Sequence, residues 1–214
     1  MKKIADEAQR IAAEEDAKCT PEALMETKLL KEKSGSINGY DYVDLGLPSG
    51  LKWATCNVGA RSPEQYGDYY AWGEQNTKKY YDEDSCDTYG ECLDDISGDP
   101  AYDVARAKWG SGWRMPTKSE FQELLDKCKW ERIILVGKNG YMVTGPNGNS
   151  IFLPSAGCRY ESEYECRGKE GYYWSSTPDD DVWSYSFMAG DRCYIRGWFR
   201  SNGGSVRPIS ELKM

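Results

Sequence analysis

From Tyr40 onward, turn-forming residues break the chain before any one period runs far. Gly, Asn, Asp, Ser, Trp and Tyr dominate, and the apolar runs between them are short. Such punctuation predicts many short strands among loops. Tyr42-Val43-Asp44-Leu45 and Leu51-Lys52-Trp53-Ala54 are predicted strands around a Pro48-Ser49-Gly50 turn. Tyr141-Met142-Val143-Thr144 and Ser150-Ile151-Phe152-Leu153 flank Gly145-Pro146-Asn147-Gly148-Asn149, a predicted hairpin. Further strands are predicted over residues 171–176, 185–188, 192–195 and 204–208. Residues 74–100 are acidic, tyrosine-rich and aperiodic, which predicts a long loop.

Two segments do carry helical spacing. Val104, Ala105 and Lys108 predict a helix over residues 101–109. Thr117-Lys118-Ser119-Glu120 has the spacing of a capping box, with Phe121, Leu124, Leu125 and Cys128 as the apolar face behind it. The fold class is therefore α+β, with two main helices, many short strands and long loops. No repeat of solenoid type is present.

Residues 1–33 differ: they are rich in Ala, Glu and Lys and hold no Gly, Trp or Tyr. Ile4, Ala8, Ile11 and Ala12 share one helical face. Thr20-Pro21-Glu22 predicts a helix restart, with Thr as N-cap and Pro in the first helical position. Leu24, Met25, Lys28 and Leu29 continue it, and Ser34-Gly35-Ser36 is read as a linker. The organisation is thus a helical segment with linker at 1–36 and a domain at 37–214. The narrow apolar face favours a solvated lead-in; the sharper alternative is that these helices carry oligomerisation or docking.

Charge and residue inventory exclude several function classes. The formal net charge is −8, from 35 acids against 27 bases. Nucleic acid is therefore excluded as the main partner, because phosphate contacts need a basic face. With no histidine in the chain, a Ser-His-Asp triad, a Cys-His dyad and a histidine metal site are ruled out. Eight cysteines contain no CxxC pair, which argues against structural zinc. Cys86 with Cys92, and Cys158 with Cys166, are close enough in sequence to pair. The first seven residues have no apolar signal core, and no run approaches the roughly 18 residues of a membrane span. Free thiols and cytoplasmic synthesis are the expectation, with a phage particle or cell surface as destination. Asp179-Asp180-Asp181 and the group Asp82, Glu83, Asp84 and Asp87 are read as solvated acidic loops, since adjacent acids cannot all face one calcium ion. No metal or cofactor is expected.

Several segments together carry a resemblance. They are Gly39-Tyr40-Asp41-Tyr42-Val43-Asp44-Leu45-Gly46-Leu47-Pro48-Ser49-Gly50-Leu51-Lys52-Trp53-Ala54, Trp113-Arg114-Met115-Pro116-Thr117, Gly148-Asn149-Ser150-Ile151-Phe152-Leu153-Pro154, Tyr172-Tyr173-Trp174-Ser175-Ser176 and Gly204-Ser205-Val206-Arg207-Pro208-Ile209. In this order, over about residues 38–210, they resemble the Fibrobacter succinogenes major paralogous domain family, abundant in gut Bacteroidetes. The resemblance implies a C-type-lectin-like fold, shared with the formylglycine-generating-enzyme branch. Some members are similar to the variable proteins of diversity-generating retroelements, which display altered side chains on a lectin-like scaffold. On this scaffold Trp53, Trp113 and Trp174 are expected as buried anchors. Arg207 is expected to pair with an acid or a backbone carbonyl, and Arg114 to be structural too.

Candidate ligand contacts lie between those segments. Residues 192–202 mix aromatic, cationic and small polar side chains without period 2 or 3.6. Arg, Trp and Tyr are the types enriched in binding hot spots. The candidates here are Arg192, Cys193, Tyr194, Ile195, Arg196, Trp198, Phe199, Ser201 and Asn202. Retroelement mutation of adenines in an Asn codon excludes Trp, Met, Lys, Glu and Gln, and every residue of 192–202 except Trp198 fits that subset. Residues 158–170 add Tyr160 and Glu161, and residues 178–183 add Asp180 and Trp183. The expected function is non-enzymatic binding of a protein or glycan on a cell or phage surface. One alternative is a formylglycine-generating-type enzyme using Cys158, Cys166 and Cys193 with a metal, although no histidine is present to activate a thiol. Another is a phage tail or structural component carried by the N-terminal helices.

Overall fold

The computed structural model describes residues 21–212, so the expectations on Ile4, Ala8, Ile11, Ala12 and Thr20 lie outside the described residues. The chain divides into two units, one ending at Lys31 and one beginning at Glu32. In the first, helix α1 spans Pro21–Lys31, with proline in the first turn as predicted. No helix among the described residues is long and apolar enough to cross a membrane.

The second unit is α+β, with mostly antiparallel strands in small sheets. Strands β1 (Gly35–Ile37), β2 (Tyr40–Asp44), β3 (Lys52–Ala54) and β12 (Ile209–Ser210) form one sheet in the order β1-β2-β3-β12. The segment read as a linker is therefore a strand. Its hairpin turns at Asn38-Gly39, both with positive φ, the chemistry a two-residue turn demands. Strands β4 (Lys129–Leu135), β5 (Lys138–Thr144) and β6 (Ser150–Pro154) form a meander containing the predicted hairpin. Strand β4 is not foreseen by the sequence reading, because its turn uses Val136-Gly137 (φ 47° and 71°) and a valine does not advertise a left-handed conformation. Strands β7 (Cys158–Tyr160) and β8 (Glu163–Glu165) pair as a small hairpin.

Strands β9 (Gly171–Pro178), β10 (Trp183–Ala189) and β11 (Cys193–Phe199) form a three-stranded sheet in the order β11-β10-β9. The expected strand over 204–208 is not one. Its backbone bonds go to four different segments: Gly204 N–H to Tyr70 O, Ser205 N–H to Tyr172 O, Val58 N–H to Val206 O and Ala54 N–H to Pro208 O. A segment shared out in this way cannot keep one ladder.

Helix α2 (Val104–Trp109) starts three residues later than its periodicity suggests, because Asp103 caps it. Asp103 is fully buried. One carboxylate oxygen accepts the Ala105 and Arg106 N–H groups, and the other accepts those of Gly98 and Met115. Helix α3 (Lys118–Lys127) carries the predicted capping box between Thr117 and Glu120. Phe121 and Leu124 are buried, with Leu125 and Cys128 at the margin of the same cluster.

Alternation sorts the β9-β10-β11 sheet into two faces. Tyr172, Trp174, Met188 and Trp198 join Tyr70, Trp72, Trp109, Trp113 and Val206 on one side. Tyr173, Phe187 and Ala189 join Trp53, Val43, Phe121 and Leu124 on the other, where the Phe121 and Phe187 rings stack at 5.2 Å. Trp53, Trp113 and Trp174 are buried anchors, as expected.

Arg114 is structural in the way expected of it. Its Nη1 and Nη2 grip both Glu120 oxygens, at 2.8 and 2.5 Å, and its Nε donates to Glu211. Burial alone would raise the Glu120 carboxyl, but Arg114 and the Thr117 amide outweigh it and hold the group below its usual value. A carboxyl so held stabilises the native state above about pH 4.3 and loses that contribution as pH falls through the folded-state value. The urea midpoint is expected to drop between pH 5 and 3, and Glu120→Gln to flatten that drop. Asp103→Asn should cost about 2–4 kcal/mol in urea unfolding, because an amide NH2 facing two N–H donors strands both.

Candidate ligand-binding face

Strand β11 is an edge strand paired only to β10 within its sheet. Its cross-strand partners set Tyr194 beside Met188, Arg196 beside Ser186 and Trp198 beside Ser184. Cys193 and Ile195 turn the other way, toward the Phe187 cluster under α3. The outward face thus carries Tyr194 and Arg196, both exposed, with the Arg196 guanidinium 6.0 Å from the Tyr194 ring. Beside them lies a shallow cleft of about 280 Å³, lined by Glu170, Met188, Gly190, Asp191, Arg192 and Tyr194. Its acidic side is fixed: the Tyr172 hydroxyl donates to Glu170 at 2.5 Å. A cation from Arg192, a carboxylate from Glu170, a thioether and a phenol therefore converge on one opening.

The far end of the strand is built differently. Trp183 and Phe199 lie ring against ring at 4.0 Å. The Asp180 carboxylate accepts the N–H groups of Val182 and Trp183. Those bonds, the Trp183 amide first, hold the exposed Asp180 carboxyl below its usual range. Gly197 faces this turn, and a Cβ there would stand 2.7 Å from Asp179 Oδ2.

The structure separates the predicted contacts. Arg192, Tyr194, Arg196, Phe199 and Asp180 are exposed, and Trp183 is half-buried. Cys193 and Ile195 are half-buried against the core. Trp198, Ser201 and Asn202 are buried and are not surface contacts. Trp198 lies 4.8 Å from the rings of both Tyr172 and Trp174. Ser201 and Asn202 follow the point where Arg200 turns inward, and the Asn202 amide closes a turn onto Phe199 O. Tyr160 and Glu161 are exposed at the β7–β8 turn, where Glu161 bridges to Tyr81, and do not line the β11 cleft. The sequence reading missed Glu170, Met188 and Asp191; period-2 pairing across β10 and β11 was the signal that could have found Met188.

All seven described cysteines are free thiols. Cys158 and Cys166 pack on the Trp198 cluster, whereas Cys193 packs on the opposite one, so the three do not converge. Burial pushes Cys158 up to about 12 and Cys128 to about 11, and raises Cys56, Cys86 and Cys193. These groups are thiols, not thiolates, at neutral pH. Among the described residues, no three His, Cys, Asp or Glu side chains group as a metal ion would need.

No family model matches the chain, and no curated protein or solved structure matches it.

These placements predict opposite outcomes along one strand. Trp198→Ala should cost about 3–5 kcal/mol of folding stability, the scale for a large aromatic removed from a core. Tyr194→Ala and Arg196→Ala should each stay within about 0.5 kcal/mol, as surface changes do. Thermal and urea unfolding of the three variants checks this.

Proposed function

We propose that this chain is a non-enzymatic ligand-binding protein of C-type-lectin-like fold, of the Fibrobacter succinogenes major paralogous type. Its ligand is a protein or glycan on a cell or phage surface. The observation that carries the reading is the pair Tyr194 and Arg196, exposed on a strand whose opposite face is locked into the core. Tyr and Arg are the types enriched in recognition hot spots, and on a rigid strand little backbone entropy remains to be lost.

Two further observations support the reading. The raised thiols disfavour cysteine chemistry, which needs a thiolate. Along residues 192–202, Trp198, the one residue outside the adenine-derived subset, is core; of those inside it, Tyr194, Arg196 and Phe199 are exposed and Arg200, Ser201 and Asn202 are buried, so variation of the retroelement type would fall on the first three. A scaffold must keep its anchors fixed and is free to vary what it displays.

Screening the full chain on glycan and cell-surface protein arrays is expected to give one ligand class. The double variant Tyr194→Ala/Arg196→Ala should lose about tenfold or more of that binding with an unchanged melting temperature. Binding retained in the double variant would sink the assignment of the face. In the surrounding DNA, a near-copy of codons 158–205 differing at adenines should cover Tyr194, Arg196 and Phe199 and spare Trp198.

A further inference from the structure

A second surface, on the β7–β8 hairpin, has a different chemistry. The register puts Tyr160, Glu163, Cys158 and Glu165 on one face of the hairpin and Arg159 and Tyr164 on the other. On that other face, cations and tyrosines alternate. Arg159 lies 5.1 Å from the Tyr81 ring and 4.3 Å from Tyr164; Arg167 lies 3.4 Å from Tyr164, 5.2 Å from Tyr69 and 5.5 Å from Tyr66; Lys138 lies 5.1 Å from Tyr66.

The two arginines have different jobs. Arg159 is consumed by structure, donating to the carbonyls of Lys79, Ser162 and Glu163. Arg167 is held only at Nε, which donates to the Tyr69 hydroxyl at 3.0 Å, and that hydroxyl donates to Ala156 O. Its backbone runs close against Gly157, where a Cβ would meet Arg167 N at 2.6 Å, and the next residue is tied by Gly168 N–H to Ser155 O. Among the described residues Arg167 makes no ion pair, and neither does Lys138. Arg167 and Lys138 thus share the Tyr66 ring as two cations, neither neutralised by a carboxylate among the described residues.

A guanidinium stacked on a ring and fixed at Nε presents its Nη1–Nη2 edge to solvent, the geometry that grips a carboxylate with two parallel bonds. Lys138, across the Tyr66 ring, supplies a second cation for a second carboxylate. The phenols of half-buried Tyr66 and exposed Tyr164 flank the two cations and suit a ligand whose carboxylates sit among hydroxyls, whereas the buried Tyr69 hydroxyl is spent on Arg167 and Ala156 O. We propose that Arg167 and Lys138, set around Tyr66 and Tyr164, bind the carboxylates of a uronic-acid polysaccharide.

The test titrates the full chain with polygalacturonate, its methyl-esterified form and polyglutamate, by calorimetry at fixed salt. Polygalacturonate is expected to bind, and esterification, which removes the charge and keeps the sugar, to abolish binding. Arg167→Gln and Arg167→Lys should each weaken it about tenfold or more, because lysine keeps the charge and loses the fork. Lys138→Gln, on an exposed side chain, should weaken it about threefold at unchanged melting temperature. No binding of polygalacturonate overturns the proposal, as does equal binding of the ester or variants that bind like the parent. Tighter binding of polyglutamate would assign the site to acidic peptide instead. If Arg167→Gln fails to fold, the ester comparison and Lys138→Gln decide.

Discussion

Two guanidinium groups buried among backbone carbonyls hold this fold together. Arg207 is fully buried and donates to Ala54 O, Thr55 O, Phe152 O and the Asn57 side chain. Arg200, equally buried, donates to Thr88 O, Glu91 O, Asp180 O and the Ser184 hydroxyl while lying 4.2 Å over the Trp72 ring. Among the described residues neither donates to a carboxylate. Burial lowers both from the usual arginine value, and a buried cation persists only when its donors are satisfied. Carbonyls from distant segments are what satisfy them. Arg200 therefore clasps the loop carbonyls of Thr88, Glu91 and Asp180, and Arg207 ties strands β3 and β6 to the turn that follows β3.

The consequence is a scaffold in which irregular backbone is fixed without being regular. Residues 74–100 contain almost no secondary structure, yet Thr88 and Glu91 are tied to Arg200, and Ile96 N–H bonds to Ser176 O on β9. The β9-β10-β11 sheet is packed on both faces over most of its area, against α3 on one side and the tryptophan cluster on the other. Only toward β11 does one face emerge, with Tyr194 and Arg196. For the proposed function, display on this rigid base is what lets a few polar and aromatic side chains act as a recognition surface.

How far the sequence announced this varies by element, for physical reasons. Helix α3 was legible because its capping box and apolar face are local. The β5–β6 hairpin was legible because its Gly- and Asn-rich turn names itself. The β1–β2 hairpin was signposted by Asn38-Gly39, which the linker reading passed over. Strand β4 and the β7–β8 hairpin were hidden, since Val136 and Glu161 adopt left-handed backbone that their side chains do not favour. The β11 site was half legible. Residue type found the strand, but only pairing across β10, and the Tyr172 and Trp174 rings over Trp198, separate displayed residues from buried ones. Arg167 escaped notice because nothing local tells a free guanidinium from a clasped one.

The central claim is that loop 74–100 is held as part of the scaffold. Amide hydrogen exchange read by mass spectrometry tests it most directly, on peptides covering residues 86–96 of the unmodified chain. The account predicts slow exchange at Tyr89, Gly90 and Ile96, whose N–H groups bond to Cys86 O, Asp181 O and Ser176 O. Exchange of this stretch within seconds, at the rate of an unstructured chain, would contradict it and leave the Arg200 clasp without the role assigned to it.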